Sequence, residues 1–263
     1  MNIIVCIKQV PDTTEIKIDP VTNTLKRDGV KSIINPDDKA GLEVAIRLKE
    51  KYGATITAIS MGPNQAKKAL AEAIAMGADK GILLSDFAFA GSDTLATSKV
   101  LAAAIKELDY DIVIAGRQAI DGDTAQVGPQ MAEHLGLPQV SYVVDVDYDK
   151  KSKVFTLKRQ FEDGYQILEA GCPLLITVLN QMCKPRYMRV KGIVDVANNE
   201  EAIATWNVSN IKVDLEQIGL KGSPTNVKST YNKEYNSNKQ VYELSAKEAA
   251  TLIANTLKEK HFI

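Results

Sequence analysis

A series of short apolar runs separated by stretches of helical periodicity constrains this chain more than any other feature. Residues 3–10 (IIVCIKQV), 54–60 (ATITAIS), 81–85 (GILLS), 111–116 (DIVIAG) and 173–179 (PLLITVL) are aliphatic, β-branched and too short for buried helices, so they read as strands. Residues 37–52, 65–76, 93–108 and 124–135 are amphipathic. In the first of them Ala40, Val44, Ala45, Ile46 and Leu48 make a broad apolar stripe. Strands joined through single helices run parallel, and a parallel sheet needs cover on both faces. The pattern predicts an α/β fold on a doubly wound, mostly parallel sheet.

Past Gly136 the pattern changes. Residues 141–171 alternate apolar and polar side chains around DKKSK and EDG, which predicts an antiparallel hairpin addition. Beyond Asn180 the chain turns polar and loop-rich, with Trp206 alone and TNVKSTYNKEYNSNKQ at 225–240. Helical period returns only at 245–260, where Ser245 and Glu248 have the spacing of a capping box. The expected organisation is an α/β domain over residues 1–195 and an extended C-terminal arm over 196–263. That arm is too poor in core residues to fold alone and suits a partner's surface.

Composition removes whole classes of function. Lys and Arg number 32 against 33 Asp and Glu, so no basic excess is available to hold nucleic acid. No apolar run approaches the roughly 18 residues of a membrane span, and MNIIVCIKQV resembles a strand rather than a signal peptide. The three cysteines, Cys6, Cys172 and Cys183, are odd in number and scattered, which argues against a disulfide framework or a metal cluster and for a cytoplasmic protein. There is no GxGxxG after the first strand, no P-loop and no G-x-S-x-G elbow, and two histidines without partners leave little for a triad or a metal site. No catalytic side chain is identifiable, so any redox chemistry must come from a bound cofactor.

In an open parallel sheet, ligands bind beyond the carboxyl ends of the strands, where strand order reverses. The loops expected there are KQVPDT, SIINPDDKAG, MGPNQ, SDFAFAGSDT and GRQAIDGDTAQVGPQ. The last, at 116–130, spends fifteen residues on a connection that needs far fewer, and contains three glycines and two aspartates. Asn64 and Ser92 or Asp93 stand where helix N-caps belong, and the N–H groups behind such caps accept phosphate. Each feature also has a purely structural reading: caps that only cap, glycines that only shape a turn, Cys6 in the core, His134 structural or solvated, Arg159 paired across its hairpin. Several such loops on one sheet edge favour a pocket.

IIVCIKQVPDT, GVKSIINPDDKAGLEVAIRLKEKYG, AISMGPNQAKKALAEAIAMGADKGILL, AGRQAIDGDTAQVGPQMAEHLGLP and NQMCKPRYMRVKGI together resemble the beta subunit of electron transfer flavoproteins over nearly the whole chain. The family pattern of a basic residue, an acidic turn and a later proline is similar to Arg159, Glu162, Asp163, Gly164, Gln166, Leu168 and Pro173, with Leu157 a slight departure. The resemblance implies a fold like that of adenine-nucleotide hydrolases and Rossmann proteins, a heterodimer with an FAD-carrying alpha subunit, and a pocket for either AMP or a second FAD. By the same resemblance, pocket contacts fall on Cys6, on Asn35, Pro36, Asp37 and Asp38, and on Met61. They continue over Gly116, Arg117, Gln118, Ala119, Ile120, Asp121, Gly122, Asp123, Thr124, Ala125, Gln126 and Val127. Asp93 and Thr94 are added from their place in the third loop. The N–H groups from Asp123 to Val127 are expected to face a diphosphate at a helix start.

AIDGDTAQVG and IKQVPDT are similar to the family members from anaerobes that bifurcate electrons, and differ from the AIDDDCNQTG and VKRVID of AMP-holding forms. With Gly122, Thr124 and Ala125 small, this resemblance implies FAD, and structural AMP is the alternative. It further implies NADH as hydride donor and ferredoxin or flavodoxin as low-potential acceptor. The other electron would reach an acyl-CoA dehydrogenase, of the butyryl type, through the alpha-subunit FAD. Docking on that dehydrogenase falls on Val190, with Tyr187 and Met188 beside it. The plainer reading of KPRYMRVKGI is a solvated loop made basic by Lys184, Arg186, Arg189 and Lys191. Arg117 is a candidate for steadying a reduced flavin, or for pairing with Asp121 or Asp123.

Overall fold

The computed structural model describes residues 1–12, 31–228 and 240–263. Most of the polar stretch at 225–240 lies outside the described residues, as do the last residue of KQVPDT and the first two of GVKSIINPDDKAG. The chain divides into two compact units, Met1–Lys228 and Ser229–Ile263.

The first unit is organised by a nine-stranded sheet. Its elements in chain order begin with β1 (Asn2–Cys6), β2 (Gln9–Pro11), β3 (Ser32–Ile34), α1 (Pro36–Tyr52), β4 (Thr55–Met61) and α2 (Lys67–Met76). There follow β5 (Lys80–Leu84), α3 (Thr94–Ile105), β6 (Ile112–Gly116), α4 (Val127–Leu135), β7 (Gln139–Asp149), β8 (Val154–Gln160) and β9 (Tyr165–Gly171). β10 (Leu174–Val178), α5 (Val190–Ala197) and β11 (Ile203–Trp206) complete it. The sheet order is β11-β5-β4-β1-β6-β10-β7-β8-β9. Neighbours from β11 to β7 are parallel, and the pairs β7–β8 and β8–β9 are antiparallel. The predicted α/β class is therefore observed, and the hairpin addition continues the main sheet through the β7–β10 pair.

Burial explains why the central strands are continuous apolar runs: β6 and β10 are buried at every residue. Alternate side chains of β1 feed two cores. Ile3 and Val5 pack with Leu42, Ile46, Leu70 and Met76 of α1 and α2. Ile4 and Cys6 pack with Val100, Ala104, Met131 and Ala132 of α3 and α4. Helices thus cover both faces. α1 starts on Pro36, with Asp37 and Asp38 in its first turn, and stops at Gly53, whose φ of 73° favours glycine.

Three boundaries depart from the periodicity. The run at 3–10 is not one strand: β1 ends at Cys6, and β2 pairs antiparallel with β3 in a separate two-stranded sheet. The helix expected from residue 124 starts at Val127, because Asp123 and Ala125 take φ of 52° and 53°, values an α-helix does not accept. The first unit also runs past residue 195. β11 forms the sheet edge, with Ile203 opposite Gly81 and Trp206 opposite Leu84, while Ile211 and Ile218 are buried beside α3. Isolated apolar residues in polar chain carry no period, which concealed this segment.

In the second unit, α6 (Ala246–Glu259) is headed by the expected capping box. The Ser245 N–H donates to Glu248 Oε2 at 3.0 Å and the Ser245 hydroxyl donates to the same oxygen at 2.6 Å. Among the described residues no helix is long and apolar enough to cross a membrane.

Ile218 is 2% exposed, so Ile218→Ala is expected to lower stability by about 2–4 kcal/mol in urea unfolding. A loss under about 0.5 kcal/mol would mean that this segment contributes nothing to the core.

Candidate nucleotide-binding site

The chain runs outward from β1 to β4 and β5, then returns to β6 on the other side of β1, so strand order reverses between β1 and β6. A crevice at such a switch point is the expected ligand site of an open α/β sheet. Asp38, in the first turn of α1, joins the two strand ends: Oδ2 accepts from the Lys8 N–H at 2.8 Å and Oδ1 from the Gly116 N–H at 3.1 Å. Ile7 still donates to the Ile59 carbonyl of β4, and the chain leaves the main sheet at Lys8, whose N–H turns to Asp38. Gly116 is required there. A Cβ at that position would overlap Asp38 Oδ1 and lie 2.8 Å from the Asp37 Cβ.

Asn35 precedes α1 but does not cap it. Its buried side chain instead donates from Nδ2 to the Gln118 carbonyl at 2.8 Å and accepts at Oδ1 from the Ile120 N–H at 3.1 Å. Burial pushes the Asp38 carboxyl up to about 7, opposed by the N–H groups of Lys8 and Gly116 and the Asn35 amide, with the neighbouring Asp37 charge raising it further. Burial also raises the Cys6 thiol above its ordinary range, with the Asp38 charge adding to the effect. Cys6 Sγ lies 4.0 Å from Met131 Sδ inside the core. Position 6 is therefore left with its main chain for any ligand contact.

The loop leaving β6 is braced on both sides. Lys8 Nζ meets Asp121 Oδ1 at 2.6 Å, and the Asp123 N–H donates to the Ala119 carbonyl at 2.8 Å. Gln118 Nε2 donates to Asp123 Oδ1, and Thr94 Oγ1 donates to Gln126 Oε1 at 2.9 Å, tying α3 to the same loop. Asp123 and Ala125 are both left-handed, and α4 begins without a side-chain cap, so the N–H groups at its start have no side-chain partner. Gly128 presses that helix start onto β10, since a Cβ there would lie 2.5 Å from Thr177 Cγ2. At Gly122, by contrast, a Cβ would meet nothing within 4 Å among the described residues.

Beyond the ends of β1, β4 and β5 lies a crevice of about 980 Å³. Val10, Pro11, Met61, Pro63, Leu84 and Phe89 give it apolar walls, and Lys8, Lys31 and Lys68 give it cations. Apolar walls with a few placed charges suit a ring joined to phosphate. A second cavity, about 650 Å³, opens beyond β6 and β10 and gathers Asp37, Arg117, Tyr142, Arg159, Phe161 and Glu162. Asp37 Oδ1 accepts from the Asn180 N–H at 2.9 Å, while Oδ2 stands 3.6 Å from Arg117 Nε. Arg117 thus pairs with Asp37, rather than with Asp121 or Asp123. Arg159 lies over the Phe161 ring at 4.4 Å, not paired across the hairpin. Sequence reasoning missed this second cavity, because its residues come from five separated segments.

The cap expectations separate. Asn64 sits inside a 3₁₀ turn and its side chain caps nothing, although the turn lines the crevice beyond β1, β4 and β5. Ser92 donates to the Phe89 carbonyl at 2.8 Å. Asp93 does cap α3, accepting from the Ala96 N–H at 3.0 Å. Its other oxygen accepts from the Thr225 N–H and hydroxyl at 3.0 and 2.7 Å, so its carboxylate is committed within the chain. Away from the crevice loops, Tyr187 and Val190 are 88% and 79% exposed, with Met188 between them exposed as well. Arg186 is not part of a solvated loop: it is held by Glu43 and Glu50.

Residues 22–211 match the family model described as the electron transfer flavoprotein domain. Over 263 residues and the full length of both chains, the sequence is 54% identical to the electron transfer flavoprotein subunit beta of Clostridium acetobutylicum. It is 47% identical to subunit CarD of the caffeyl-CoA reductase-Etf complex of Acetobacterium woodii, and 42% identical to the acryloyl-CoA reductase electron transfer subunit gamma of Anaerotignum propionicum, again over the full length of each chain.

Gly116→Ala is expected to cost about 2 kcal/mol or more through overpacking against Asp38, whereas Gly122→Ala is expected to change stability by under about 1 kcal/mol. Equal urea midpoints for the two variants would contradict the close approach. The raised Asp38 pKa means that the folded chain holds more protons than the unfolded chain between about pH 4 and about pH 7. The stability associated with this group is therefore present at low pH and lost as pH rises through about 7. The urea midpoint of the wild type is expected to fall, relative to Asp38→Asn, as pH is raised from about 5 to about 8. A constant difference would contradict it.

Proposed function

The chain belongs to the electron transfer flavoprotein family, as a beta subunit, and from that premise we propose that the crevice beyond β1, β4 and β5, beside the switch point, holds FAD and relays electrons from NADH. The observation that carries this reading is the crevice itself. About 980 Å³ is near the upper end of pocket volumes that enclose a whole cofactor, and the loop beside it is left open at Gly122. Both leave room for a dinucleotide.

In this reading the N–H groups of residues 124–127 hold the diphosphate, with Lys8 close by; of the expected run from Asp123 to Val127, the Asp123 N–H is already committed to the Ala119 carbonyl. Asn35 and Asp38 fix the loop that presents those groups, and Met61, Pro63 and Leu84 shield the ring system from water. Arg117, at the start of the loop, pairs with Asp37 and lines the second cavity rather than the crevice; it is a candidate for steadying added negative charge only if the ring system reaches that side. When bound, FAD supplies the chemistry that takes two electrons as hydride and releases them singly. One electron is proposed to go to ferredoxin or flavodoxin. The other goes through the FAD of an alpha subunit to an acyl-CoA dehydrogenase, of the butyryl type. Two relatives named as subunits of acyl-CoA reductase systems support a partner of that chemistry. The chain beyond residue 228 is proposed to lie on the alpha subunit, and Tyr187, Met188 and Val190 to dock on the dehydrogenase, where burying the Val190 side chain contributes about 1.5 kcal/mol.

After co-expression with an alpha subunit and heat release, two equivalents of FAD per heterodimer are expected. One FAD with one AMP would overturn the reading in favour of a non-redox scaffold. Val190→Asp is expected to keep both flavins and to raise the apparent KM for the dehydrogenase by about tenfold, equivalent to about 1.4 kcal/mol. An unchanged KM would remove the docking role.

A further inference from the structure

We propose that Arg186, gripped by Glu43 and Glu50 of α1, is a positioning residue that presents Tyr187, Met188 and Val190 to the redox partner; this rests on the docking role proposed above. Between β10 and α5 the chain has only one 3₁₀ turn, at Asn180–Met182, so tertiary contacts must orient it. Arg186 supplies five of them. Its main-chain N–H and Nε donate to Glu43 Oε2 at 3.1 and 2.9 Å, and Nη2 donates to Glu43 Oε1 at 3.2 Å. Nη1 and Nη2 donate to the two oxygens of Glu50 at 2.5 and 3.0 Å.

Glu43 is only 3% exposed and also accepts from Arg47 Nε at 3.0 Å. A carboxylate buried on a helix is costly unless paired, and an apolar contact would anchor a loop without that cost. What a guanidinium forked onto two carboxylates adds is orientation. The other side of the segment is fixed as well. The Arg189 N–H donates to the Ala75 carbonyl at 3.0 Å, and a Cβ at Gly192 would lie 2.6 Å from that same oxygen. With positions 186, 189 and 192 pinned to α1 and α2, the apolar side chains between them are held outward. Ordering them before encounter removes that cost from binding, so the effect belongs in affinity for the partner rather than in turnover.

The test uses the heterodimer with its alpha subunit and a butyryl-CoA dehydrogenase as the varied electron acceptor. Arg186→Ala is expected to raise the apparent KM about tenfold, with kcat and flavin content unchanged. Arg186→Lys keeps the charge without the fork and is expected to recover only part of that loss. Glu43→Gln should follow Arg186→Ala; if it does not fold, the two Arg186 variants decide alone. Should Val190→Asp raise KM while Arg186→Ala does not, the clamp is overturned and the docking role stands. If neither raises KM, both fail. A fall in kcat together with flavin loss, or full recovery by Arg186→Lys, would also overturn positioning by the fork.

Discussion

A single carboxylate bridging two strand ends is the constraint on which the rest of the site depends. Asp38 takes N–H donors from the second residue past the carboxyl tip of β1 and from the tip of β6, the two strands between which the sheet changes direction. A switch point is a gap by topology; Asp38 makes it a gap of fixed width. The arrangement tolerates no side chain at position 116, and Asn35 extends the grip to the Gln118 carbonyl and the Ile120 N–H. The loop that follows can then hold left-handed residues at 123 and 125 without collapsing into a helix.

α1 is the beam that carries these demands. Its first turn sets the crevice. One face further along, Glu43 and Glu50 hold Arg186 beneath the exposed Tyr187, Met188 and Val190. At its far end Lys49 and Lys51 pair with Asp79 and Asp147, exposed bridges that add little stability each. The proposed cofactor site and the proposed docking residues are thus both held by one helix.

Much of this was legible in the residues, and what was not has identifiable causes. Repeating short apolar runs gave away the parallel sheet and its helices, because burial on both faces leaves that trace. Local pattern could not show that residues 3–10 break at Cys6, since the bonds that take over there, from Lys8 to Asp38 and from β2 to β3, join residues far apart in the chain. β11 and the buried Ile211 and Ile218 escaped because single apolar residues in polar chain have no period. Asn64 looked like a cap but sits within a 3₁₀ turn, and Arg117 found Asp37 rather than the aspartates of its own loop. The loop at 116–130 stood out by length and glycine content. Its family was recognisable from segments spread along the chain, whereas the cavity at Arg159 and Phe161 exists only once five segments meet.

The central claim is that the main-chain amides after Asp123, held in place by Asp38 and Asn35, cradle the phosphates of a dinucleotide. Amide hydrogen exchange on the heterodimer, with and without its nucleotide, tests this most directly. The account expects the N–H groups of Lys8 and Gly116 to be protected in both states, and those of residues 124–127 to slow by about tenfold or more only when nucleotide is bound. Exchange at residues 124–127 that ignores the nucleotide, with slowing elsewhere on the sheet edge, would contradict it.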